Sequence, residues 1–160
     1  MYQRILLAYD GSRAGHEALR QGADLARLCR AEVILLAIVA HEPGVALAEA
    51  VTPSDLPVRE QEEMEGVLDE GARELRQAGL AVQACLRQGH PAEEIGRLAR
   101  EKGVDLIVVG HREQGALARW WSGSTGASLL AHAPCSLLVA VATQGGHDPD
   151  AGGNGSPNAA

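Results

Sequence analysis

Short apolar segments of β-strand type alternate with segments of helical periodicity, and this alternation limits the possible folds of the chain more than any other feature. The pattern is typical of a parallel sheet whose strands are joined by crossover helices. Uninterrupted apolar runs such as Val33-Ile34-Leu35-Leu36 fit strands covered on both faces. We therefore predict a doubly wound α/β sheet. Its five predicted strands are residues 5–9, 33–39, 80–86, 106–109 and 137–141.

Capping residues and apolar periodicity predict helices between these strands. Ser12 is a suitable N-cap residue, and Pro91 is suited to the first turn of a helix. Gly103 is a suitable stop. The predicted helices cover residues 13–30, 60–77, 91–102 and about 123–132.

The approach to the second predicted helix is the least regular part of this pattern. Residues 40–59 contain Pro43, Gly44, Pro53 and Pro57 and are long for an α/β connection. Loops of this length often carry function or an interface. The helix then opens on the acidic run at 60–63, which suits the positive end of a helix dipole. We interpret this run as a solvated helix face.

The charge balance excludes a common class of partner. Fourteen Lys and Arg against 21 Asp and Glu leave a net charge of −7 at pH 7, whereas binding to a nucleic acid backbone needs a basic face. The four aromatic residues, Tyr2, Tyr9, Trp120 and Trp121, are too few for a base-stacking platform. We expect no nucleic acid partner.

No segment is suited to a membrane or to secretion. The longest apolar run, residues 33–40, is far shorter than the roughly 20 residues that a bilayer span needs. The apolar stretch near the N-terminus is too short for a secretory signal. Cys29, Cys85 and Cys135 are widely spaced, which predicts neither a disulfide framework nor a zinc site. We therefore predict a cytoplasmic protein without membrane insertion.

The chain divides into one domain and a tail. Residues 1–143 carry all of the predicted strands and helices and form the predicted α/β domain. Residues 144–160 are mostly Gly, Pro, Asn, Asp and Ala, with no periodic apolar positions. Such a composition cannot bury enough apolar surface to offset the entropy of ordering. We predict a flexible C-terminal tail.

Two polar segments follow predicted strands, where open α/β sheets bind their ligands. Asp10-Gly11-Ser12 follows the first strand, where Asp10 either contacts a ribose hydroxyl or a metal or belongs to an ordinary turn. Residues 110–115 follow the fourth strand, and Gly123-Ser124-Thr125 opens a helix. Free N–H groups and hydroxyls there form a natural cradle for an anion.

Several catalytic and nucleotide motifs are absent from the sequence. It contains no Walker A sequence, no Gly-x-Gly-x-x-Gly and no Gly-x-Ser-x-Gly. A helix cap or a phosphate contact explains Ser124 without a nucleophilic role. Because no base and nucleophile are brought together by the sequence, we predict no catalytic residues.

Five short segments share their order and spacing with a known family, and through them residues 2–141 resemble the universal stress proteins. The segments are Ala8-Tyr9-Asp10-Gly11-Ser12, Val33-Ile34-Leu35-Leu36, Gly89-His90-Pro91-Ala92-Glu93-Glu94-Ile95, Val104-Asp105-Leu106-Ile107-Val108-Val109-Gly110 and Ala131-His132-Ala133-Pro134-Cys135.

The resemblance implies a five-stranded parallel Rossmann-like sheet, in strand order 3-2-1-4-5, with helices on both faces. ATP-binding members carry Gly, two residues, Gly, nine residues, Gly and then Ser or Thr, a motif that cradles the phosphates. Gly110, Gly123 and Ser124 match this motif. The resemblance also implies a homodimer through the last strand. The implied interface residues are Leu137, Leu138, Val139, Ala140 and Val141.

Glu113 stands where the motif has its second glycine. Glu does not adopt a positive φ without strain, and two unit charges about 4 Å apart interact by about 4 kcal/mol at an effective dielectric of about 20. Arg112, His111 and Arg119, a metal bridge to phosphate, or a loop reshaped by Gly115 are alternative ways to offset this repulsion. We expect AMP or ADP to bind at least as well as ATP without divalent metal, and magnesium to narrow the difference.

The remaining implied roles follow position by position. Asp10 faces the ribose and phosphates, and the backbone of Ile38 meets the adenine edge. His111 and Glu113 lie beside the phosphate path. The other residues implied to line that path are Gly110, Arg112, Gly123, Ser124 and Thr125.

These expectations favour a cytoplasmic, homodimeric sensor or regulator that binds an adenine nucleotide and hydrolyses ATP slowly if at all. One alternative is a dimeric, stress-related interaction protein that has lost nucleotide binding through Glu113. Another is an adenylate-transferring or hydrolytic enzyme of related fold, which has no supporting motif. The sequence identifies neither a metal site nor the protein partner.

Overall fold

Five parallel strands form one sheet in this protein, in the order 3-2-1-4-5. The structure is a computed structural model and describes residues 1–40, 56–111, 129 and 131–142. The elements in chain order are β1 (Arg4–Ala8), α1 (Arg13–Cys29), β2 (Glu32–Ala40), α2 (Leu56–Gln77), β3 (Val82–Gly89), α3 (Pro91–Lys102), β4 (Leu106–His111) and β5 (Ser136–Val141).

The doubly wound fold and the strand order are confirmed. Successive side chains of a strand face opposite sides of the sheet, so neighbours such as Ile5 and Leu6 enter different cores. On one side α1 and α2 cover the sheet, and on the other α3 covers it. The central strands are buried on both faces, and this explains their uninterrupted apolar sequences.

Helix α1 begins directly after Ser12 and helix α3 ends directly before Gly103, as these capping residues predict. The Ser12 hydroxyl accepts a hydrogen bond of 3.0 Å from the Gly15 N–H at the start of α1. Gly103 follows α3 with φ of 61°, a left-handed conformation that glycine adopts without strain.

Helix α2 begins earlier than its sequence predicts. It starts at Leu56 rather than at residue 60, and Pro57 occupies its second position. Proline is tolerated in the first turn because its missing N–H would have no helical partner there. The acidic run at 60–63 therefore begins in the second turn of α2.

Some of the predicted elements lie outside the described residues. Residues 41–55, most of the predicted fourth helix and the predicted tail at 144–160 are among them, although Leu129, Ala131 and His132 are helical. Within the described part of the chain, no helix combines the length and apolar character needed to cross a bilayer.

Candidate functional site

A cleft of about 400 Å³ opens at the carboxyl ends of β1 and β2. Helix α2 forms one wall, and the beginning of α3 contributes Pro91 and Ile95 on the other side. The cleft lies beside β1, and the strand order of the sheet reverses between β1 and its other neighbour, β4. Open α/β sheets bind their ligands at this kind of position. Its volume lies within the range of small-molecule sites, roughly 300–1,000 Å³.

Much of the cleft surface is apolar. Ile38 and Val39 lie near the carboxyl end of β2, and Met64 and Val67 lie on α2. Ile95 of α3 completes this surface. Apolar walls on both sides suit a flat ring, because such a ligand exposes two apolar faces.

Asp10 lies at the end of β1 and lines the cleft. Its Oδ1 atom accepts a hydrogen bond of 3.0 Å from the Ser12 N–H and another from the Ser12 hydroxyl. These bonds fix the strand-to-helix turn, in which Gly11 has φ of 71°. Asp10 therefore anchors the strand-to-helix turn and also lines the cleft; its contact with a ligand stays a prediction.

Tyr9 connects the lining of the cleft with α1. The residue lines the cleft and is 3% exposed, while its hydroxyl shares a hydrogen bond of 3.1 Å with the His16 ring of α1. Burial raises the pKa of Tyr9 to about 12, with smaller contributions from Glu70, Glu74 and Asp10. The Tyr9 hydroxyl therefore stays protonated at neutral pH.

Glu60 and Glu63 of α2 also line the cleft, although their sequence was interpreted as a solvated helix face. Both are exposed, as expected for a solvated helix face, and their position beside the cleft is an addition from the structure. A sequence signal exists, because residues 60, 63, 64 and 67 share one helix face. This face joins the two carboxylates to the buried stripe of Met64 and Val67.

Gly110 lies in β4 beneath the start of α1. A Cβ atom there would lie 2.3 Å from the Ala14 carbonyl oxygen, which is closer than atoms can approach. Glycine is therefore required at this position by helix packing alone. His111 follows at the end of β4, where it is half-buried and pairs in register with Val141.

The structure brings some of the predicted site residues together and leaves others outside its range. Asp10 and Ile38 line the same cleft, and Gly110 and His111 end the neighbouring strand β4. In the described part of the chain, no group of three or more His, Cys, Asp or Glu is arranged to hold a metal ion. The residues outside the described range are Arg112, Glu113, Gly123, Ser124 and Thr125.

The predicted interface strand β5 lies at one edge of the sheet. Leu137, Leu138 and Val139 are half-buried, Ala140 is buried and Val141 is 57% exposed. The strand pairs with β4 on one side. Its apolar side chains are thus incompletely covered within one chain.

The fold is that of a doubly wound α/β protein with a cleft of small-molecule size at the carboxyl edge of its sheet. The family model described as the universal stress protein family matches residues 1–140. The chain belongs to this family.

Individual relatives match nearly the whole domain. A universal stress protein of Thermus aquaticus is 34% identical over 145 residues, which cover 87% of this chain and 98% of the relative. A solved universal stress protein of Methanocaldococcus jannaschii has a TM-score of 0.73 at 27% identity and covers 91% of this chain and 99% of its own.

Two more distant family structures contain adenine mononucleotides. A universal stress protein solved in complex with cAMP has a TM-score of 0.64 at 22% identity, covering 89% of this chain and 98% of its own. One from Archaeoglobus fulgidus, in complex with dAMP, has a TM-score of 0.60 at 22% identity, covering 87% of this chain and 98% of its own. At this identity the likeness establishes a shared fold.

Proposed function

We propose that this universal stress protein is a homodimeric sensor or regulator that binds an adenine nucleotide in the cleft at the carboxyl ends of β1 and β2. The observation that carries the proposal is that Asp10 and Ile38, which come from different strands, line one cleft of about 400 Å³. The complexes of other family members with cAMP and dAMP support the choice of ligand.

The described walls fit the nucleoside part of such a ligand. A purine ring can lie between the apolar side chains of Ile38, Val67 and Ile95. Asp10 can accept hydrogen bonds from ribose hydroxyls, because carboxylate oxygens are strong acceptors. In this proposal the phosphates extend toward the segment that begins at Gly110.

The proposed dimer forms through β5. An edge strand with apolar side chains and open N–H and C=O groups invites association with other chains, and pairing two copies about a two-fold axis removes that edge. Val141, with 57% of its surface exposed, supports this choice of strand. The cytoplasmic location stays a prediction from the sequence.

Titration calorimetry with AMP, ADP and ATP, each with and without magnesium, tests the proposed ligand. Wild-type protein is expected to bind AMP or ADP at least as tightly as ATP without metal, because the Glu113 carboxylate repels the outer phosphates. Magnesium should narrow the difference by screening that charge. The variant Glu113→Gly should shift the preference toward ATP. Inorganic pyrophosphate serves as the control for simple anion binding.

The outcomes separate the proposal from its alternative. Much tighter binding of ATP than of AMP by wild type without metal, or an unchanged preference in Glu113→Gly, would contradict the role of Glu113. Absence of binding for all three nucleotides would instead favour a dimeric interaction protein without a nucleotide.

A further inference from the structure

Helix α2 packs directly on the connection between β1 and α1. A Cβ atom at Gly11 would lie 3.2 Å from both methyl carbons of Val67. A Cβ atom at Gly71 would lie 2.8 Å from Cε1 of Tyr9 and 3.1 Å from Cδ2 of Leu35. Because two carbon atoms are best separated by about 3.5–4.0 Å, a side chain at either position would have to displace its neighbours. Both contacts therefore depend on glycine.

The helix that makes these contacts is also a wall of the cleft. Met64 and Val67 line the cleft, and residues 64, 67 and 71 share one face of α2 because they are three and four residues apart. Tyr9, which meets Gly71, lines the cleft as well. The distance between the α2 wall and the ends of the strands is therefore set where α2 meets Tyr9 and Gly11.

We propose that Gly11 and Gly71 are positioning residues that set the width of the cleft, and that this width favours ligands with a flat ring such as a purine base. Neither glycine lines the cleft, so both act through the placement of α2. The inference rests on the proposed nucleotide site and assigns its preference for a base to two residues outside the cleft lining.

The distance dependence of dispersion forces makes this width matter. A gap of about 0.5–1 Å between surfaces loses about a quarter to a half of their attraction. A small outward displacement of α2 should therefore weaken the contact between Val67 and a base. The contacts of a sugar phosphate, which has no flat ring, should change much less.

The test compares two glycines of the same helix. Gly71→Ala adds a methyl group against Tyr9 and should displace α2. Gly66→Ala is the matched control, because a Cβ atom there would have no heavy atom within 4 Å. Both substitutions replace a helical glycine by alanine, so they change helix propensity in the same direction.

Dissociation constants for AMP are measured by calorimetry, and those for ribose 5-phosphate by phosphorus NMR titration. Gly71→Ala is expected to bind AMP about tenfold more weakly than wild type, whereas ribose 5-phosphate changes by less than about threefold. Gly66→Ala should bind both ligands as wild type does. Circular dichroism and thermal unfolding verify that each protein is folded at the temperature of the binding experiment.

A second pair of variants keeps the proposal testable if Gly71→Ala does not fold. Gly11→Ala places a methyl group against Val67, and Val67→Ala removes both methyl carbons and leaves Cβ at 3.9 Å. Gly11→Ala should therefore weaken AMP binding more in wild type than in the Val67→Ala background. Gly79→Ala is the control for backbone strain, because Gly79 has φ of 82° and a Cβ atom there would meet nothing within 4 Å. It should leave the AMP affinity unchanged.

Each outcome supports or overturns the proposal. An AMP affinity that is unchanged in Gly71→Ala, or that falls equally in Gly66→Ala, would overturn the role of Gly71. Equal losses for AMP and ribose 5-phosphate would show that the effect does not depend on the base. Equal losses from Gly11→Ala in both backgrounds would contradict the contact with Val67. In these cases wild type still binds AMP, so the proposed nucleotide site stands, whereas absence of AMP binding by wild type would overturn both.

Discussion

The two edge strands of the sheet, β3 and β5, each present one row of backbone N–H and C=O groups that is open to pairing with another chain. Their side chains differ. In β3 the exposed residues include Gln83 and Gln88, and Arg87 forms an ion pair of 2.6 Å with Glu101 of the neighbouring α3. In β5 the sequence after Ser136 is wholly apolar. The first edge is polar and charged, and the second is not.

This difference supports β5 as the edge through which the proposed dimer forms. Charged and polar side chains oppose pairing at an exposed edge, whereas an apolar edge favours it. Because β5 exposes apolar side chains such as Val141, it is the edge at which a second copy gains the most. The following predictions test this contrast, beginning with the largest expected effect.

Proline at Val139 should have the largest effect, because it removes a ladder donor and restricts φ in β5. We expect Val139→Pro to yield monomers or insoluble protein in sedimentation experiments. Gln88→Pro places the same residue in the opposite edge strand β3 and should leave the oligomeric state unchanged. A soluble dimer of Val139→Pro with wild-type mass would argue against the β5 interface.

A milder variant keeps this prediction testable if proline prevents folding. Val141→Lys adds a charge at a side chain that is 57% exposed, so a monomer should tolerate it. It should lower the dimer fraction while retaining the circular dichroism of the folded protein. A dimer of undiminished affinity would point to a different interface.

Loss of the ion pair at the other edge should have a small effect. Arg87 and Glu101 have side chains that are 35% and 41% exposed, and pairs with such exposure contribute about 0–1 kcal/mol. Arg87→Ala should lower the free energy of unfolding by less than about 1 kcal/mol. A double-mutant cycle with Glu101→Ala in urea denaturation measures the coupling. A coupling well above that value would mean that β3 depends on this pair for its stability.

Removal of the C-terminal segment should have the smallest effect. Residues 144–160 offer few apolar groups to bury, so truncation after Thr143 should leave the thermal midpoint and the dimer mass nearly unchanged. A fall of more than about 5 °C would show that the segment packs against the domain. Aggregation of the truncated protein would indicate that this segment, rather than a second copy, covers β5.

The sequence predicts the framework of the molecule well because local chemistry determines it. Apolar runs define the strands, and the caps at Ser12 and Gly103 define helix ends within a residue or two. The start of α2 was predicted four residues late, because Pro57 was assigned to the preceding connection. Proline is compatible with both a loop and a first helical turn, so the sequence alone does not distinguish them.

The cleft is harder to predict than the framework. Position after a strand identifies Asp10, and the family resemblance identifies Ile38. Neither signal identifies Glu60 or Glu63, since their relation to the cleft depends on how α2 packs beside the ends of β1 and β2. Contacts of this kind arise from tertiary packing between segments that are distant in the chain. The role of a charged run on a helix can therefore be assigned only when the structure shows which residues lie beside it.

The close approach of Ala14 to Gly110 has a consequence for any comparison of this chain with relatives that bind no ligand. Any side chain at Gly110 would collide with the backbone of α1, so a substitution there would disturb folding whether or not a nucleotide is bound. We therefore expect a relative that has lost its ligand to need this glycine as well. Glycine at this position reports how the first helix packs on the sheet, and it is not by itself a marker of nucleotide binding.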